Sequence, residues 1–135
     1  MKEIADIQIS DNFSIWEFIK SDTAKFAKIK AQYNIPINAV YNIVSLTNNI
    51  LQPLRNKIGI IKITSGYRCE LLNHFLNGSK CSQHLTGSAA DFMCEDQATA
   101  IKLIKQMQFD QLIIYPRFLH VSYDSKRSRK SIFHG

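Results

Sequence analysis

The sequence predicts an α+β domain, in which a small antiparallel sheet has N-terminal helices packed on one side. Two observations lead to this fold class. Helical patterns are concentrated in the first half of the 135-residue chain and again near residue 100, whereas the strand patterns fall in the second half. A doubly wound sheet would instead require strands and helices that alternate along the chain. The length fits one domain, and we expect residues 1–135 to form it.

The N-terminal segment contains one clear helix start. Residues 1–13 show no regular pattern. Ser14 and Glu17 then have the spacing of a capping box, which predicts a short helix to about Lys20. Residues 23–33 fit either a second short helix or a loop.

The longest helix is predicted in the middle of the chain. From Pro36 onward, apolar residues recur at i, i+3, i+4 and i+7, which predicts a helix to about Lys57 that Gly59 stops. Pro53 lies inside this helix, so we expect a kink or a local break there. The apolar stripe predicts a face that packs in the core.

The second half of the chain contains the strands. Apolar and β-branched residues are dense in four segments bounded by turn residues: 60–65, 88–93, 111–115 and 118–123. The last two should form a hairpin through Pro116 and Arg117. A helix over residues 70–76, closed by Asn77 and Gly78, and another that begins at Glu95 or Asp96 complete the predicted elements.

Composition limits the possible functions. An apolar share of 45% supplies a core and excludes a disordered chain. No apolar run reaches the length of about 18 residues that a membrane span needs, so none is expected. The N-terminus lacks the basic and apolar regions of a signal peptide. We therefore expect synthesis in the cytoplasm, with any action at the cell wall after release by another route. We also expect a monomer.

The three cysteines do not indicate a disulfide framework. Cys69, Cys81 and Cys94 are an odd number and contain no CxxC pair. We expect reduced thiols. The alternative is that Cys81 or Cys94, which flank residues 84–91, lies near a metal.

The basic charge indicates an anionic partner. The net charge is +6 and the pI is near 9.3, which suits either nucleic acid or an acidic polymer such as bacterial cell wall. The excess is concentrated in Lys126, Arg127, Arg129 and Lys130, which can equally be a solvated tail. No aromatic-interleaved basic groove or zinc-finger spacing accompanies it, so we expect no nucleic-acid partner.

The segment over residues 82–91 carries the strongest chemical signal. It places an imidazole at His84 and a carboxylate at Asp91, seven residues further on, with only small or uncharged residues between them. Gly87 lies in this interval and can adopt the backbone conformations of a sharp turn. Such a turn can bring both side chains to one point, so the two residues are candidate metal ligands.

A third candidate donor, His120, lies in an apolar strand pattern. It alternates with Leu119 and Val121, so it faces away from the core if those two side chains pack inside. An isolated histidine on such a strand is more often a hydrogen-bonded structural residue. Two imidazoles and one carboxylate together, however, make a catalytic zinc shell that leaves the fourth position open.

The pattern Ser82-x-His84-x-x-Gly87-x-Ala89-x-Asp91, followed by His120-Val121-Ser122, resembles the M15 family of zinc peptidases. That family includes D-alanyl-D-alanine carboxypeptidases and phage endolysins, and it shares its metal site with the hedgehog signalling domain. The resemblance extends upstream through Ser65-Gly66-Tyr67-Arg68, Asn73, Gly78-Ser79 and residues 12–60. It implies a hedgehog-like, D-Ala-D-Ala peptidase-like fold over nearly the whole chain.

The resemblance also implies an activity and its residues. His84, Asp91 and His120 match the three zinc ligands, and Arg68 matches the arginine that binds the carboxylate or carbonyl of the substrate. The implied protein is a zinc-dependent metallopeptidase that hydrolyses stem peptides of peptidoglycan, either as a carboxypeptidase or as an endopeptidase. A prophage origin would explain the missing signal peptide.

The sequence departs from the family pattern at the general base. Many members carry an acidic residue a few residues before the third ligand, often at the third position before it, where this chain has Arg117. Tyr115 can donate a hydrogen bond to an oxyanion but is a poor base. The other groups that can fold inward are Asp110, Glu95, Asp124, His74 and His134. A non-catalytic zinc module that binds peptide or cell wall is therefore the alternative, and a nucleic-acid-binding domain would rest on net charge alone.

Overall fold

The computed structural model describes residues 4–135 and confirms the α+β class. The helices are α1 Ile15–Ile19, α2 Asp22–Phe26, α3 Ile37–Leu46, α4 Gln52–Ile58, α5 Glu70–Phe75 and α6 Gln97–Ile104. The strands are β1 Gln8–Ser10, β2 Phe13–Ser14, β3 Ile61–Ser65, β4 Ala89–Cys94, β5 Gln111–Ile114, β6 Leu119–Ser122 and β7 Ser131–His134. Within residues 4–135, no helix is both long enough and apolar enough to span a bilayer.

The main sheet has five strands in the order β3-β4-β6-β5-β7. The first four are antiparallel neighbours, and the predicted hairpin of β5 and β6 is present. One face of the sheet packs against the helices, and its buried side chains include Ile63, Phe92 and Leu119. Since successive side chains of a strand point to opposite faces, the other face is left for polar residues. Asp91 and His120 lie on that second face.

The long central helix runs through Pro53 without leaving the helical conformation. In place of the predicted kink or break, the turn just before the proline, Thr47–Leu51, is π-helical and joins α3 directly to α4. Proline has no N–H to donate and its ring crowds the carbonyl one turn earlier, and the wider π-turn relieves both problems. Gly59 ends the helix with φ of 87°, as the sequence predicted.

The N-terminal segment is more ordered than predicted. The irregular structure predicted for residues 1–13 is wrong for the described part, where a 3-10 turn at Ile4–Asp6 precedes the antiparallel pair of β1 and β2. Residues 1–3 lie outside the described residues. Gln52 holds this hairpin, because its Oε1 accepts from the Asn12 backbone N–H at 3.1 Å and from the Ser10 hydroxyl at 2.6 Å.

The C-terminal basic segment is not a free tail. The residues directly after it form β7, which pairs in parallel with β5 at the edge of the sheet and was not predicted. Arg129, just before β7, donates from Nε to the buried Asp110 carboxylate at 2.8 Å. The segment is therefore fixed to the sheet at two points.

Candidate metal centre and active site

The sheet register brings two of the three candidate ligands together. Asp91 on β4 lies directly opposite His120 on β6. Cross-strand partners have Cβ atoms about 5 Å apart, so both side chains reach the same point above the open face. Leu119 and Val121, the neighbours of His120, are fully buried on the other face, as the alternation predicted.

The third candidate, His84, reaches this point from the loop before β4. The predicted loop contains a 3-10 turn over Gln83–Thr86, and Ser82 caps it by accepting the His84 N–H at 3.2 Å. Gly87 ends the turn in the left-handed conformation with φ of 75°. A Cβ at Gly87 would lie 2.6 Å from the carbonyl oxygen of Ala39, so both the conformation and the space require glycine.

The donor atoms of His84, Asp91 and His120 lie within 4.8 Å of one another. Asp91 Oδ1 is 2.8 Å from His120 Nδ1 and 3.3 Å from His84 Nε2. Zinc–ligand distances of about 2.0–2.2 Å in a tetrahedral shell correspond to ligand atoms about 3.4 Å apart. The His84–Asp91 separation matches this value, whereas the His120–Asp91 contact is a hydrogen bond that would lengthen by about 0.6 Å around an ion. With that adjustment the three donors can hold a tetrahedral metal ion and leave one position open.

Hydrogen bonding fixes the tautomer of His84. Its Nδ1 lies 2.6 Å from the carbonyl oxygen of Gly66. A carbonyl oxygen only accepts, so Nδ1 carries the proton and Nε2 presents a lone pair toward Asp91. A lone pair and a carboxylate oxygen 3.3 Å apart repel each other unless a proton or a metal ion lies between them. The arrangement is that of a histidine prepared to bind a cation through Nε2.

The Asp91 carboxylate is held in its charged form. Burial alone would raise the pKa of Asp91, but its contacts with the two imidazoles, of which the hydrogen bond to His120 is the larger contribution, outweigh this effect and keep the pKa well below its usual range. An ionised carboxylate is the form that ligates a metal. The three residues thus offer one negative oxygen and two imidazole nitrogens, and they fit a metal that prefers nitrogen and oxygen donors.

Arg68 lies beside this cluster. Its Nη2 is 3.5 Å from Asp91 Oδ2, while Nε donates to the Ser65 hydroxyl at 3.1 Å and Nη1 to Asn73 Oδ1 at 3.4 Å. Burial lowers the pKa of Arg68, and the nearby Asp91 opposes that change. A guanidinium stays charged under both influences. Arg68 is therefore a positioned cation in the wall of the site, not a solvated surface arginine.

The backbone around Arg68 is held by Gln32, a residue that the sequence did not single out. Gln32 is 1% exposed; its Nε2 donates to the carbonyls of Ile19 and Tyr67 at 2.9 and 2.8 Å, and its Oε1 accepts the Cys69 N–H at 2.9 Å. It thus binds the chain on both sides of Arg68. Gln32 lies in residues 23–33, for which the sequence fitted either a helix or a loop. A single glutamine there has no pattern from which this role could be predicted.

A cleft of about 660 Å³ opens over the metal-donor cluster. Its wall includes Arg68, Tyr115 and Phe118, and the rings of the last two stack with centroids 4.3 Å apart. Stacking fixes the ring plane of Tyr115 and keeps the tyrosine at the cleft.

Carboxylates are scarce in this cleft. Among residues 4–135, Asp91 is the only Asp or Glu in its lining. Glu95, Asp124, His74 and His134 do not line it, and Arg117, at the position where the family pattern has an acid, is exposed.

Asp110 lies just behind the lining, fully buried and already engaged. Its carboxylate accepts from the Arg129 Nε, Nη2 and backbone N–H at 2.8–3.1 Å and from Gln83 Nε2 at 2.9 Å. Hydrogen bonding from the Arg129 side chain outweighs burial and lowers the pKa of Asp110 to about 2. Asp110 links the C-terminal segment to Gln83, the neighbour of His84, and its four hydrogen bonds occupy its lone pairs.

The cysteines contribute no donor to the cluster within residues 4–135. All three are free, as the sequence predicted. Cys69 caps α5, and Cys94 is half-buried at the end of β4. Cys81 is exposed and lies in the cleft wall.

Comparison with known proteins agrees with the geometry. A search of curated proteins found no match. The model of the family described as Peptidase M15 matches residues 8–122, which include His84, Asp91, His120 and Arg68. A match over this much of the chain, together with the α+β fold and a possible His-Asp-His metal site, identifies the protein as a hydrolase of a metal-dependent family that acts on peptides. The chain belongs to the M15 family of peptidases.

Proposed function

We propose that the protein is a zinc-dependent metallopeptidase that hydrolyses peptide bonds in the stem peptides of bacterial peptidoglycan. The observation that carries this proposal is the cluster of His84, Asp91 and His120, whose donor atoms lie within 4.8 Å at the base of an open cleft. When bound there, zinc would polarise the scissile carbonyl and lower the pKa of a water molecule toward about 7. Two imidazoles and one carboxylate are donors that zinc accepts readily.

In this proposal Arg68 and Tyr115 handle the substrate. The Arg68 guanidinium, held by Ser65 and Asn73, binds a terminal carboxylate or a carbonyl of the peptide with paired N–H groups. The Tyr115 hydroxyl donates a hydrogen bond to the carbonyl oxygen as negative charge develops on it. The net charge of +6 favours attraction of an acidic polymer.

We further propose that residues 1–135 act as one monomeric domain. The five-stranded sheet and the helices share one hydrophobic core, which supports a single folding unit. Synthesis in the cytoplasm of a prophage-bearing cell, followed by release, would bring the protein to the cell wall.

The second candidate function is a non-catalytic zinc module that binds peptide or cell wall. One observation favours it: among residues 4–135, Asp91 is the only carboxylate lining the cleft, and a metal ligand is not free to take the proton of the attacking water. Peptide binding through Arg68 would then remain without hydrolysis.

Metal content and turnover separate these functions. The purified protein should contain one zinc per chain by elemental analysis and should release products from muropeptides, detected by mass spectrometry. Chelation should stop the reaction, and zinc should restore it. Release of a terminal D-alanine identifies a carboxypeptidase, and internal cleavage an endopeptidase.

His84→Ala should be inactive, whereas His74→Ala, which changes an exposed histidine outside the cleft, should retain activity. Bound zinc without turnover would support the non-catalytic module. Absence of zinc, with no effect of chelation on stability, would contradict both functions.

A further inference from the structure

The C-terminal segment brings two more arginines to the metal cleft. Arg127 and Arg129 both line it, together with Arg68. The family match ends at Ser122, so both arginines lie in a part of this chain beyond the shared pattern. Their contacts within the cleft differ, and the difference determines which one can bind a ligand.

Arg129 is committed to the fold. It donates three hydrogen bonds to Asp110, which Gln83 also contacts. With these four bonds the Asp110 carboxylate has no lone pair left for a further short hydrogen bond.

Arg127 is the free member of the pair. Its Nη2 is 3.5 Å from Asp110 Oδ2, which is an ion-pair distance and too long for a good hydrogen bond. Its side chain is 51% exposed, and within residues 4–135 it has no other ionic partner and donates no side-chain hydrogen bond. Since Arg129 already neutralises Asp110, Arg127 adds uncompensated positive charge to the cleft.

In the sheet order, the strand before Arg68 and the strand that follows the Asp110 contact of Arg127 lie on opposite sides of the strands that carry Asp91 and His120. Arg68 follows β3, the candidate ligands lie on or before β4 and on β6, and Arg127 contacts Asp110 immediately before β5. Neighbouring strands are about 4.8 Å apart, so β3 and β5 are separated by about 14 Å. An extended peptide rises about 3.3 Å per residue and would cover this distance with about four residues.

We infer that Arg127 is a specificity-determining residue, which binds a second carboxylate of the peptide about three or four residues from the group that Arg68 holds. This inference rests on the proposed function, because it assigns a ligand class to the same cleft. Peptides with an acidic side chain at that spacing are bound in preference to their neutral amide analogues. Arg129 and Asp110 position the segment that carries Arg127.

The test measures binding separately from hydrolysis. The probes are synthetic stem pentapeptides in two versions that differ only in whether the second residue carries a carboxylate or a carboxamide, each also made with an amidated C-terminus. Isothermal titration calorimetry on the zinc-loaded protein gives the Kd of each, and mass spectrometry gives turnover. The wild type should bind the carboxylate version about 10-fold more tightly, the order of one charge-assisted hydrogen bond at a half-exposed group.

The variants assign this preference to one side chain. Arg127→Gln should reduce the preference to less than about twofold, and Arg127→Lys should retain part of it because the charge remains. Lys126→Gln removes the same charge from the exposed neighbouring residue and should leave the preference unchanged. Amidation of the C-terminus should weaken binding equally in Arg127→Gln and in the wild type, since Arg68 is intact in both.

The outcomes separate this inference from the proposed function. An undiminished preference in folded Arg127→Gln overturns the inference even if hydrolysis is normal. A preference that depends on Arg127 without any turnover supports the inference and contradicts the peptidase. Failure of the wild type to bind either peptide contradicts both.

Discussion

Replacement of Asp91 by asparagine should remove the zinc-dependent part of the thermal stability. The carboxylate lies 2.8 and 3.3 Å from the ring nitrogens of His120 and His84, so it contributes the only negative donor of the cluster. Asparagine keeps the shape of the side chain but offers a neutral oxygen, which binds zinc weakly. The fold should persist, and the affinity for the ion should fall.

The size of the effect follows from linkage. A ligand at 100 times its Kd that binds the folded state alone stabilises it by about 2.7 kcal/mol. For a chain of 135 residues, with an unfolding entropy of about 2.1 cal/mol/K per residue, this corresponds to a rise in Tm of about 10 °C. At the same zinc concentration, the Tm of Asp91→Asn should rise by less than about 2 °C.

Differential scanning fluorimetry with added zinc, and again with a chelator, measures this shift. Glu95→Gln is the matched control, because it makes the same acid-to-amide change at an exposed residue outside the cleft. It should respond to zinc as the wild type does. If zinc raised the Tm of Asp91→Asn by the same amount as that of the wild type, the ion would bind elsewhere and the assignment of the cluster would be wrong.

Three further predictions concern residues around the cluster. Arg68→Lys should reduce kcat/KM by about 10- to 100-fold, because a lysine ammonium lacks the planar fork with which the guanidinium contacts Ser65 and Asn73 and still offers paired N–H groups to a substrate, while zinc content stays unchanged. Gly87→Ala should lower the free energy of unfolding in urea by at least about 1–3 kcal/mol, given its φ of 75°. Asp110 has its pKa lowered to about 2 from 3.8, so its stabilising contribution is present above pH 4 and is lost as the pH falls toward 2. The free energy of unfolding in urea should therefore fall more over this range for the wild type than for Asp110→Asn. Equal falls would exclude Asp110 as the cause.

The part of the site formed by residues close together in the chain could be predicted from the sequence. His84 and Asp91 are seven residues apart with a glycine between them, and a local turn brings them together. The face of His120 followed from strand alternation. The pairing of His120 with Asp91 depends on the register of two strands, which the sequence pattern predicts only in outline.

The supporting contacts could not be predicted, because they join distant parts of the chain. Gln32 reaches the backbone beside Arg68 from 35 residues away, and Arg129 reaches Asp110 across 19 residues. Neither contact leaves a periodic pattern, since each requires one polar side chain at one position. Strand β7 was missed for a related reason: it is a short, largely exposed edge strand, and β5 supplies its pairing partner.

Whether the lack of an acidic general base at position 117 limits turnover can be tested by introducing one. The resemblance to the family implied an acid near the third position before His120, and here Arg117 occupies that position in the turn before β6. Asp110 cannot substitute for it, because four hydrogen bonds engage its carboxylate and a pKa of about 2 makes it a weak proton acceptor.

If the absence of a base limits turnover, Arg117→Glu should raise kcat, and a positioned general base contributes about 10²- to 10⁴-fold. Arg117→Gln removes the cation without adding a base and should show no such gain. The gain should appear in single-turnover measurements as a rate that rises with pH through the pKa of the new carboxylate. Equal rates for both variants and the wild type would mean that another group of this chain accepts the proton, and that Arg117 replaced a residue this enzyme does not need.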